Sequence, residues 1–228
     1  VDVLQDGQIR WITGGRSHGW MSLSGISFDT KRGRSVPTLN GWRGYGGSYG
    51  SLSVSRIGNL CMLSGVIKGS EWGESMAQLP SNCHPRGRLI FNLNNHAKTA
   101  RVDVLTNGEV VWVDGGRDHG WISLTGITFC LPGKISAMAS ETAPLQYGRL
   151  GMLKHSGWVE YGRGYALPSI ALGGSLCVVS GIVKATHGMK NPITSLPPNC
   201  RPNKRLIFSL NSQENTLRVD ALPNGEVH

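Results

Sequence analysis

The chain has 228 residues, and 23 Lys and Arg against 14 Asp and Glu give a formal net charge of +9 at pH 7. This length is sufficient for two β domains of about 100 residues, each with its own core. Glycine contributes 32 residues and charged residues only 16%, a composition that favours short strands and tight turns over helices. No apolar run reaches the ~18 residues that span a bilayer. The scattered basic residues argue against a dedicated nucleic-acid site and for weak association with an acidic surface or a glycan.

One repeated motif predicts three hairpin turns. Residues 1–11 (VDVLQDGQIRW) return at 102–112 as VDVLTNGEVVW, and residues 219–228 (VDALPNGEVH) repeat their first part again. Each copy has Asp-Gly or Asn-Gly between two β-rich runs, which is the strongest short-range signal of a β-hairpin. We therefore expect tight turns at Asp6–Gly7, Asn107–Gly108 and Asn224–Gly225.

Two longer copies define the domain organisation. The first, unit 1, runs over residues 42–129, and the second, unit 2, over residues 158–228. For example, LCMLSGVIK at 60–68 aligns with LCVVSGIVK at 176–184. Apolar and small polar residues alternate along 121–129, as in one half-buried strand. We predict an all-β fold of two homologous antiparallel β-sandwich-like units in tandem, related by a pseudo-two-fold axis, with five or six strands each and almost no helix.

Two segments lie outside the copies. Residues 29–41 are interpreted as a basic linker. Residues 130–157 form a longer connector, and a structureless loop of that length is uncommon in a compact domain. We therefore expect this connector to drape over a unit or to contact a neighbour.

The chain begins and ends within the repeat. Unit 2 stops at the position of Val111, so it lacks a counterpart of residues 112–129, and residues 11–28 are a copy of that missing piece. We expect this N-terminal segment to complete unit 2 of the same chain or of an adjacent one. Residues 1–10 also duplicate 219–228, so closure within one chain leaves a strand copy spare. That surplus favours a longer array or strand exchange between chains.

The five cysteines allow two interpretations. Cys61 and Cys83 in unit 1 correspond to Cys177 and Cys200 in unit 2, while Cys130 stands alone. The equivalent placement allows one disulfide per unit. The alternative is a buried strand cysteine and an unrelated turn cysteine, and the odd count and low density lean toward this reduced state. No Cys-x-x-Cys or His-x-x-x-His spacing indicates a metal site.

A Gly-rich loop and an aromatic motif supply the candidate site residues, and both occur twice. The loop reads GGRSHGW at 14–20 and GGRDHGW at 115–121, and its Arg, His and Trp could bind a sugar or a carboxylate. We favour the structural interpretation, a turn with positive-φ glycines and a Trp packed in the core, because a repeated Trp is expected in the core of any repeat. The motif WxxYGxxY at 42–49 and 158–165 could form a carbohydrate platform or close the end of a core. The candidate ligand or interface residues are Arg16, His18, Trp20, Arg117, Asp118, His119, Trp121, Trp42, Tyr45, Trp158 and Tyr161.

Catalysis finds little support in these residues. His119 lies near Asp118 and Ser123, but the first copy has Ser17 in place of Asp118, so the composition of a nucleophilic triad is not repeated. No pair of carboxylates on facing strands indicates glycoside cleavage. We expect a protein that is not an enzyme and that uses no cofactor.

The order of the motifs resembles that in two known families. The motifs are WxxYGxxY (42–49), LCxxSG (60–65), LPxxCxP (79–85), RVDxLxxG (101–108) and GWxSLxGIxF (120–129). They are similar to the small β domain at the tips of phage tail fibres, although those units usually lack Cys at the positions of Cys61 and Cys83 and commonly occur singly. They also resemble tandem-repeat proteins of marine algae, among them the diatom pyrenoid shell family.

The two resemblances imply different functions. The shell family implies a non-enzymatic structural protein whose tandem β units, related by pseudo-two-fold symmetry, self-assemble into sheets or a shell around the pyrenoid Rubisco condensate in the chloroplast stroma. Its partner is then a second copy of this chain. The tail-fibre domain implies the alternative, a bivalent carbohydrate-binding, lectin-like module that is extracellular or on a virion surface.

Overall fold

The structure is a computed structural model that describes residues 2–13, 21, 23–28, 33–131, 146–151, 157–173, 176–188, 190–213 and 215–228. Arg16, His18 and Trp20 lie outside the described residues. The described chain is built from β-strands, with one-turn 3₁₀ helices at Ser81–Cys83 and Pro198–Cys200. The prediction of an all-β, sandwich-like fold is confirmed.

The strands are short, and each unit contains more of them than the five or six expected. The N-terminal region and unit 1 contain β1 (Asp2–Val3), β2 (Ile9–Arg10), β3 (Arg34–Ser35), β4 (Arg43–Gly44), β5 (Ser53–Ile57), β6 (Leu60–Ser64), β7 (Val66–Lys68), β8 (Ser75–Gln78), β9 (Leu89–Asn95), β10 (Lys98–Val104), β11 (Glu109–Gly115), β12 (Trp121–Ser123) and β13 (Thr128–Cys130). Unit 2 and the strand before it contain β14 (Gln146–Arg149), β15 (Trp158–Glu160), β16 (Ser169–Gly173), β17 (Leu176–Ser180), β18 (Val183–Ala185), β19 (Thr194–Ser195), β20 (Leu206–Ser212), β21 (Asn215–Ala221) and β22 (Glu226–Val227).

Unit 1 packs two antiparallel sheets around one core. The larger sheet has the order β4-β7-β12-β9-β10-β11-β8, and the smaller has the order β13-β6-β5-β3. Apolar side chains from both sheets form a single buried cluster that includes Val54, Leu63, Ile67, Val102 and Phe129. Burying each such side chain contributes about 1.5–3 kcal/mol, so this cluster is the main source of stability of unit 1.

The segment 121–129 joins these two sheets. It was expected to be one half-buried strand, but it turns at Gly126 (φ +106°), where L residues other than glycine are strained. Strand β12 before the turn pairs with β7 and touches β9, whereas β13 after it pairs with β6. The period-two pattern is therefore correct, but its two halves serve different sheets.

The three predicted hairpin turns are present. Gly7, Gly108 and Gly225 all have φ between +83° and +93°, and the turns join β1 to β2, β10 to β11 and β21 to β22. In unit 1, Leu105 N–H donates to the Glu109 carbonyl at 2.9 Å and closes the turn. Only the glycine of each turn has a positive φ, as in a type I turn that is followed by a glycine in the left-handed region, whereas the mirror-image type I′ turn needs positive φ at both central residues.

Both connectors contribute strands. Within the segment interpreted as a linker, β3 pairs with β5, and Val36 is 4% exposed in the core of unit 1. Within the long connector, β14 pairs with β16 in the corresponding way, and Leu150 is buried like its counterpart Val36. The two units therefore begin before the aromatic motifs from which the sequence alignment starts them.

Unit 2 repeats unit 1 but is divided. Its sheets among the described residues are β14-β16-β17, β15-β18 and β19-β22-β21-β20. In unit 1, β12 joins the counterparts of the last two into one sheet, and β13 covers the edge of β6. The division follows because residues 158–228 contain no copy of β12 or β13.

The two units contact each other through equivalent elements. Strand β9 lies against its counterpart β20, and the hydroxyl of Thr99 is 3.0 Å from that of its counterpart Thr216. Met62 and its counterpart Val178 pack against one apolar cluster. Contacts between equivalent residues are what a pseudo-two-fold axis produces.

Candidate functional site

A buried asparagine side chain holds the Gly-rich loop of unit 1 in place. Asn95 is fully buried, and its side-chain amide donates to the main-chain oxygens of His119 (3.1 Å) and Trp121. Arg117, Asp118 and His119 are exposed, and Trp121 is half-buried at the start of β12. The loop is therefore a surface turn that Asn95 fixes from the protein interior, and its candidate binding side chains face solvent.

Aromatic rings from three parts of unit 1 gather around this loop. The Tyr45 ring centroid is 4.9 Å from that of Tyr49 and 6.2 Å from that of Trp121, and the His119 ring is 4.5 Å from that of His96. We call these five residues the aromatic patch. The sequence indicated Tyr45, His119 and Trp121 but missed His96, because its counterpart in unit 2 is Gln213 and the repeat gave no signal there.

Cations border the aromatic patch. Lys68 Nζ lies 5.3 Å from the Tyr45 ring centroid, and Lys98 forms an ion pair with Asp118. The hydrogen bond from Lys98 holds the pKa of Asp118 below its usual range. Flat apolar rings with hydrogen-bonding groups at their edge suit the apolar face of a sugar ring.

Two other aromatic candidates have structural positions. Trp42 is 3% exposed, stacks edge-on against Trp72 at 4.9 Å and donates from Nε1 to the Glu71 carbonyl oxygen at 3.1 Å. In unit 2, Trp158 donates from Nε1 to the Lys190 carbonyl oxygen at 2.6 Å. The structural interpretation holds for Trp42, which is a core residue.

The aromatic pair of unit 2 is used for contact with unit 1. Tyr161 and Tyr165 stack edge-on at 5.1 Å, and the Arg88 guanidinium lies 5.5 Å from the Tyr165 ring centroid. The main chain of Arg88 is also bonded to unit 2, because its N–H donates to Gly164 O at 3.0 Å and its oxygen accepts from Ala166 N–H at 2.9 Å. This contact between the units could not be read from either motif alone.

A buried ion-pair network lies under that contact. Asp103 is fully buried and accepts two hydrogen bonds of 2.9 Å from Arg101 and another from Arg88. Arg101 also donates to the Tyr165 hydroxyl at 3.4 Å and to Gln213 of unit 2. The hydrogen bond with Asp103 raises the pKa of Arg101 above its ordinary value.

In the equivalent network of unit 2 the carboxylate of Asp220 is buried, but the arginines around it face solvent. Asp220 accepts hydrogen bonds of 2.7 and 2.9 Å from Arg218, and Arg205 lies 3.7 Å away. The Arg218 and Arg205 side chains are 52% and 58% exposed, against 7% for Arg101. The hydrogen bond from Arg218 lowers the pKa of Asp220.

The most distinctive feature of unit 2 is an open core, which we call the groove. Three of its apolar residues are 40–50% exposed, although their counterparts in the core of unit 1 are 1–7% exposed. The groove residues are Val179, Leu206 and Leu210, and the counterparts are Leu63, Leu89 and Leu93. In unit 1 these side chains share one core cluster with Ile122, Leu124, Ile127 and Phe129, and the Leu63 N–H donates to the Ile127 oxygen at 2.8 Å.

A second set of exposed apolar residues lies in the N-terminal segment. Met21, Leu23, Ile26 and Phe28 are 41–48% exposed. Their counterparts Ile122, Leu124, Ile127 and Phe129 are fully buried in unit 1. The described part of the chain therefore exposes both an open core and a copy of the segment that closes such a core.

The cysteine pairs are disulfide-bonded, contrary to the lean toward a reduced state. Cys61 is bonded to Cys83, with Cα atoms 6.0 Å apart, and Cys177 to Cys200, with Cα atoms 5.6 Å apart. In each unit the 3₁₀ turn after the Leu-Pro dipeptide carries the second cysteine against the strand with the first. Cys130 is a free, buried thiol, and burial raises its pKa to about 11.

Within the described residues, no group of three or more His, Cys, Asp or Glu side chains could hold a metal ion. No helix in this part of the chain is both long and apolar enough to cross a membrane. The chain matches no protein-family model, no curated protein and no solved structure with which it was compared. In the described residues the fold is all-β, and the core of unit 1 is more deeply buried than that of unit 2.

Proposed function

We propose that this chain is a non-enzymatic structural protein that self-assembles through its tandem β units. The observation that carries the proposal is the groove of unit 2, where apolar residues that unit 1 buries are about half exposed. Isolated apolar residues are common on surfaces, but a core open along its length is a binding surface for another chain or a source of aggregation.

Open strand edges support the same proposal. Strand β17 pairs with β16 on one side, and no described strand pairs with it on the side where β13 pairs with β6 in unit 1. An unpaired edge presents main-chain N–H and C=O groups in a row, so it accepts a further strand from another molecule. In the form that the shell-family resemblance implies, the product is a sheet around the Rubisco condensate.

Light scattering and electron microscopy of the purified protein test the proposal. We expect the average mass to rise with protein concentration and sheets, tubes or rows to appear in the images. A mass of one chain across a broad concentration range, with no ordered assemblies in the images, would refute self-assembly.

Carbohydrate binding is a second candidate, and the aromatic patch favours it. Tyr45 contacts both Tyr49 and Trp121 edge to face, and Lys68 lies over the Tyr45 ring at the surface of unit 1. We expect a glycan-array signal that Trp121→Ala removes and that Tyr161→Ala, its control in the aromatic pair of unit 2, retains. Absence of any signal with the folded wild-type protein would exclude this candidate.

A further inference from the structure

The outer face of the larger sheet of unit 1 carries two cations side by side. Arg43 on β4 is directly opposite Lys68 on β7, and Lys68 is directly opposite Trp121 on β12. The alternate residues Ile67 and Ile122 are fully buried in the core. Directly opposed residues of antiparallel strands lie on the same face of a sheet, so Arg43, Lys68 and Trp121 form one row on the outside. We call Arg43 and Lys68 the cation pair.

No described carboxylate neutralises the cation pair. The ion pairs formed among the described residues all use other cations. Asp118, in the adjacent Gly-rich loop, is paired with Lys98. Like charges at directly opposed positions destabilise a sheet, so a bound anionic group would relieve the repulsion between Arg43 and Lys68.

Aromatic rings lie beside the cation pair. Tyr45 N–H donates to the Val66 oxygen at 2.9 Å, which continues the pairing of β4 with β7 past Gly44. The Tyr45 ring centroid is 5.3 Å from Lys68 Nζ and 6.2 Å from the ring centroid of Trp121. Cations bind sulfate and carboxylate groups through charge-assisted hydrogen bonds, and aromatic rings pack against apolar faces. A sugar that carries an anionic substituent offers both kinds of group.

Unit 2 shows that the fold does not require the cation pair. Val159 occupies the position of Arg43, and it is directly opposite Lys184, the counterpart of Lys68. Strands β15 and β18 therefore pair as β4 and β7 do, but with one cation instead of two. Arg43 is an addition of unit 1 that the pairing of these strands does not explain.

The geometry of the rings favours a sugar over other anionic ligands. Tyr45 meets Tyr49 and Trp121 at interplanar angles of 77° in both pairs. Rings at such angles provide no series of parallel faces on which successive nucleic-acid bases stack. An acidic peptide would use the cations, but its carboxylate side chains offer no flat apolar face to the rings.

We propose that the cation pair, together with Tyr45 and Trp121, binds an acidic glycan, one that carries sulfate or carboxylate groups. This inference rests on the carbohydrate-binding candidate above and names its ligand class. The Arg43 guanidinium and the Lys68 ammonium bind the anionic group, and the rings contact the sugar to which it is attached.

Titration calorimetry with matched polysaccharides tests the ligand class. The probes are dextran sulfate and polygalacturonate, neutral dextran, and two polyanions of other classes, polyglutamate and oligothymidylate. We expect at least one acidic polysaccharide to bind, more weakly as salt is raised, and neutral dextran not to bind. Comparison of the first two probes shows whether sulfate or carboxylate is preferred.

Two single variants test the residues. Arg43→Val copies the residue of unit 2 and should weaken binding of the acidic polysaccharide roughly tenfold, as expected for loss of one charge-assisted hydrogen bond. Lys184→Ala, at an exposed position of unit 2, also removes one positive charge and should retain the affinity. Both changes are on the surface, so we expect the circular dichroism spectrum to be preserved.

Several results would overturn the inference. One is that neither acidic polysaccharide binds, and another is that Arg43→Val and Lys184→Ala bind them equally well. Equal or tighter binding of polyglutamate or oligothymidylate would also overturn it, because the site would then select charge or another class of polymer. A signal from neutral glycans alone would overturn the inference and leave the carbohydrate-binding candidate standing, whereas no glycan signal at all would remove both.

Discussion

The same Asp→Asn substitution should have very different effects on stability at the two equivalent positions, Asp103 in unit 1 and Asp220 in unit 2. Asp103→Asn removes the negative charge from a site that is fully buried and leaves the Arg101 side chain, which is 7% exposed, without its counter-charge. Removing one partner of a buried ion pair costs about 3–5 kcal/mol. Asp220 is also buried, but the same change there leaves Arg218 and Arg205, which are more than half exposed and stay solvated, so we expect a cost of about 0.2–1 kcal/mol, which is typical of exposed pairs.

Urea unfolding followed by tryptophan fluorescence measures this difference. Unit 1 contributes Trp42, Trp72, Trp112 and Trp121 to the signal. With a denaturant slope of about 2 kcal/mol per M, the Asp103→Asn midpoint should fall by roughly 2 M and the Asp220→Asn midpoint by less than about 0.5 M. Equal shifts in the two variants would refute the argument that burial, rather than the repeated Arg-x-Asp sequence, determines the cost.

Three further predictions follow from single groups. In denaturant without a reducing agent, a thiol reagent should react with one thiol per chain, that of Cys130, and four or five reactive thiols would contradict the disulfides. In the folded protein the same thiol should stay unreactive at pH 8, because burial raises its pKa to about 11. Gly65→Ala should destabilise unit 1 in thermal unfolding, because φ is +129° and the new Cβ would lie 2.6 Å from the Leu52 main chain; an unchanged midpoint would show that this contact relaxes. The hydrogen bond from Arg218 lowers the pKa of Asp220 in the folded state. The ionised carboxylate therefore stabilises the protein above about pH 4, and this contribution is lost as the pH falls through the folded pKa. Between pH 5 and pH 2 the free energy of unfolding of Asp220→Asn should fall less than that of the wild type.

Local features of the fold could be predicted because they depend on residues close in sequence. The turns at Gly7, Gly108 and Gly225 need only a positive φ between two β-rich runs. The alternation in residues 121–129 correctly indicated which side chains are buried, but it could not show that Gly126 divides them between two sheets. That division depends on where β6 and β7 lie, which is a property of the assembled unit.

The candidate site was predictable only where the repeat marked it. The duplicated loop identified His119 and Trp121, but not His96, which follows β9 in the chain and reaches the loop only when β9 and β12 are neighbours. Tyr45 and Tyr161 occupy the same position of the repeated motif, so the sequence indicated both equally as candidate binding residues. In the structure the pair that includes Tyr161 packs at the contact with unit 1, while the Tyr45 pair remains in the surface patch.

The sequence by itself determined the all-β class, the tandem organisation, the hairpin turns and the fact that residues 11–28 copy residues 112–129. It could do so because turn residues, alternation and duplication are written along the chain. Only the tertiary structure decided that the cysteines pair, that Asp103 is buried while its copy Asp220 is held by exposed arginines, and that the core of unit 2 is open. Burial and pairing depend on which distant segments meet, so two nearly identical repeats acquire different physical properties.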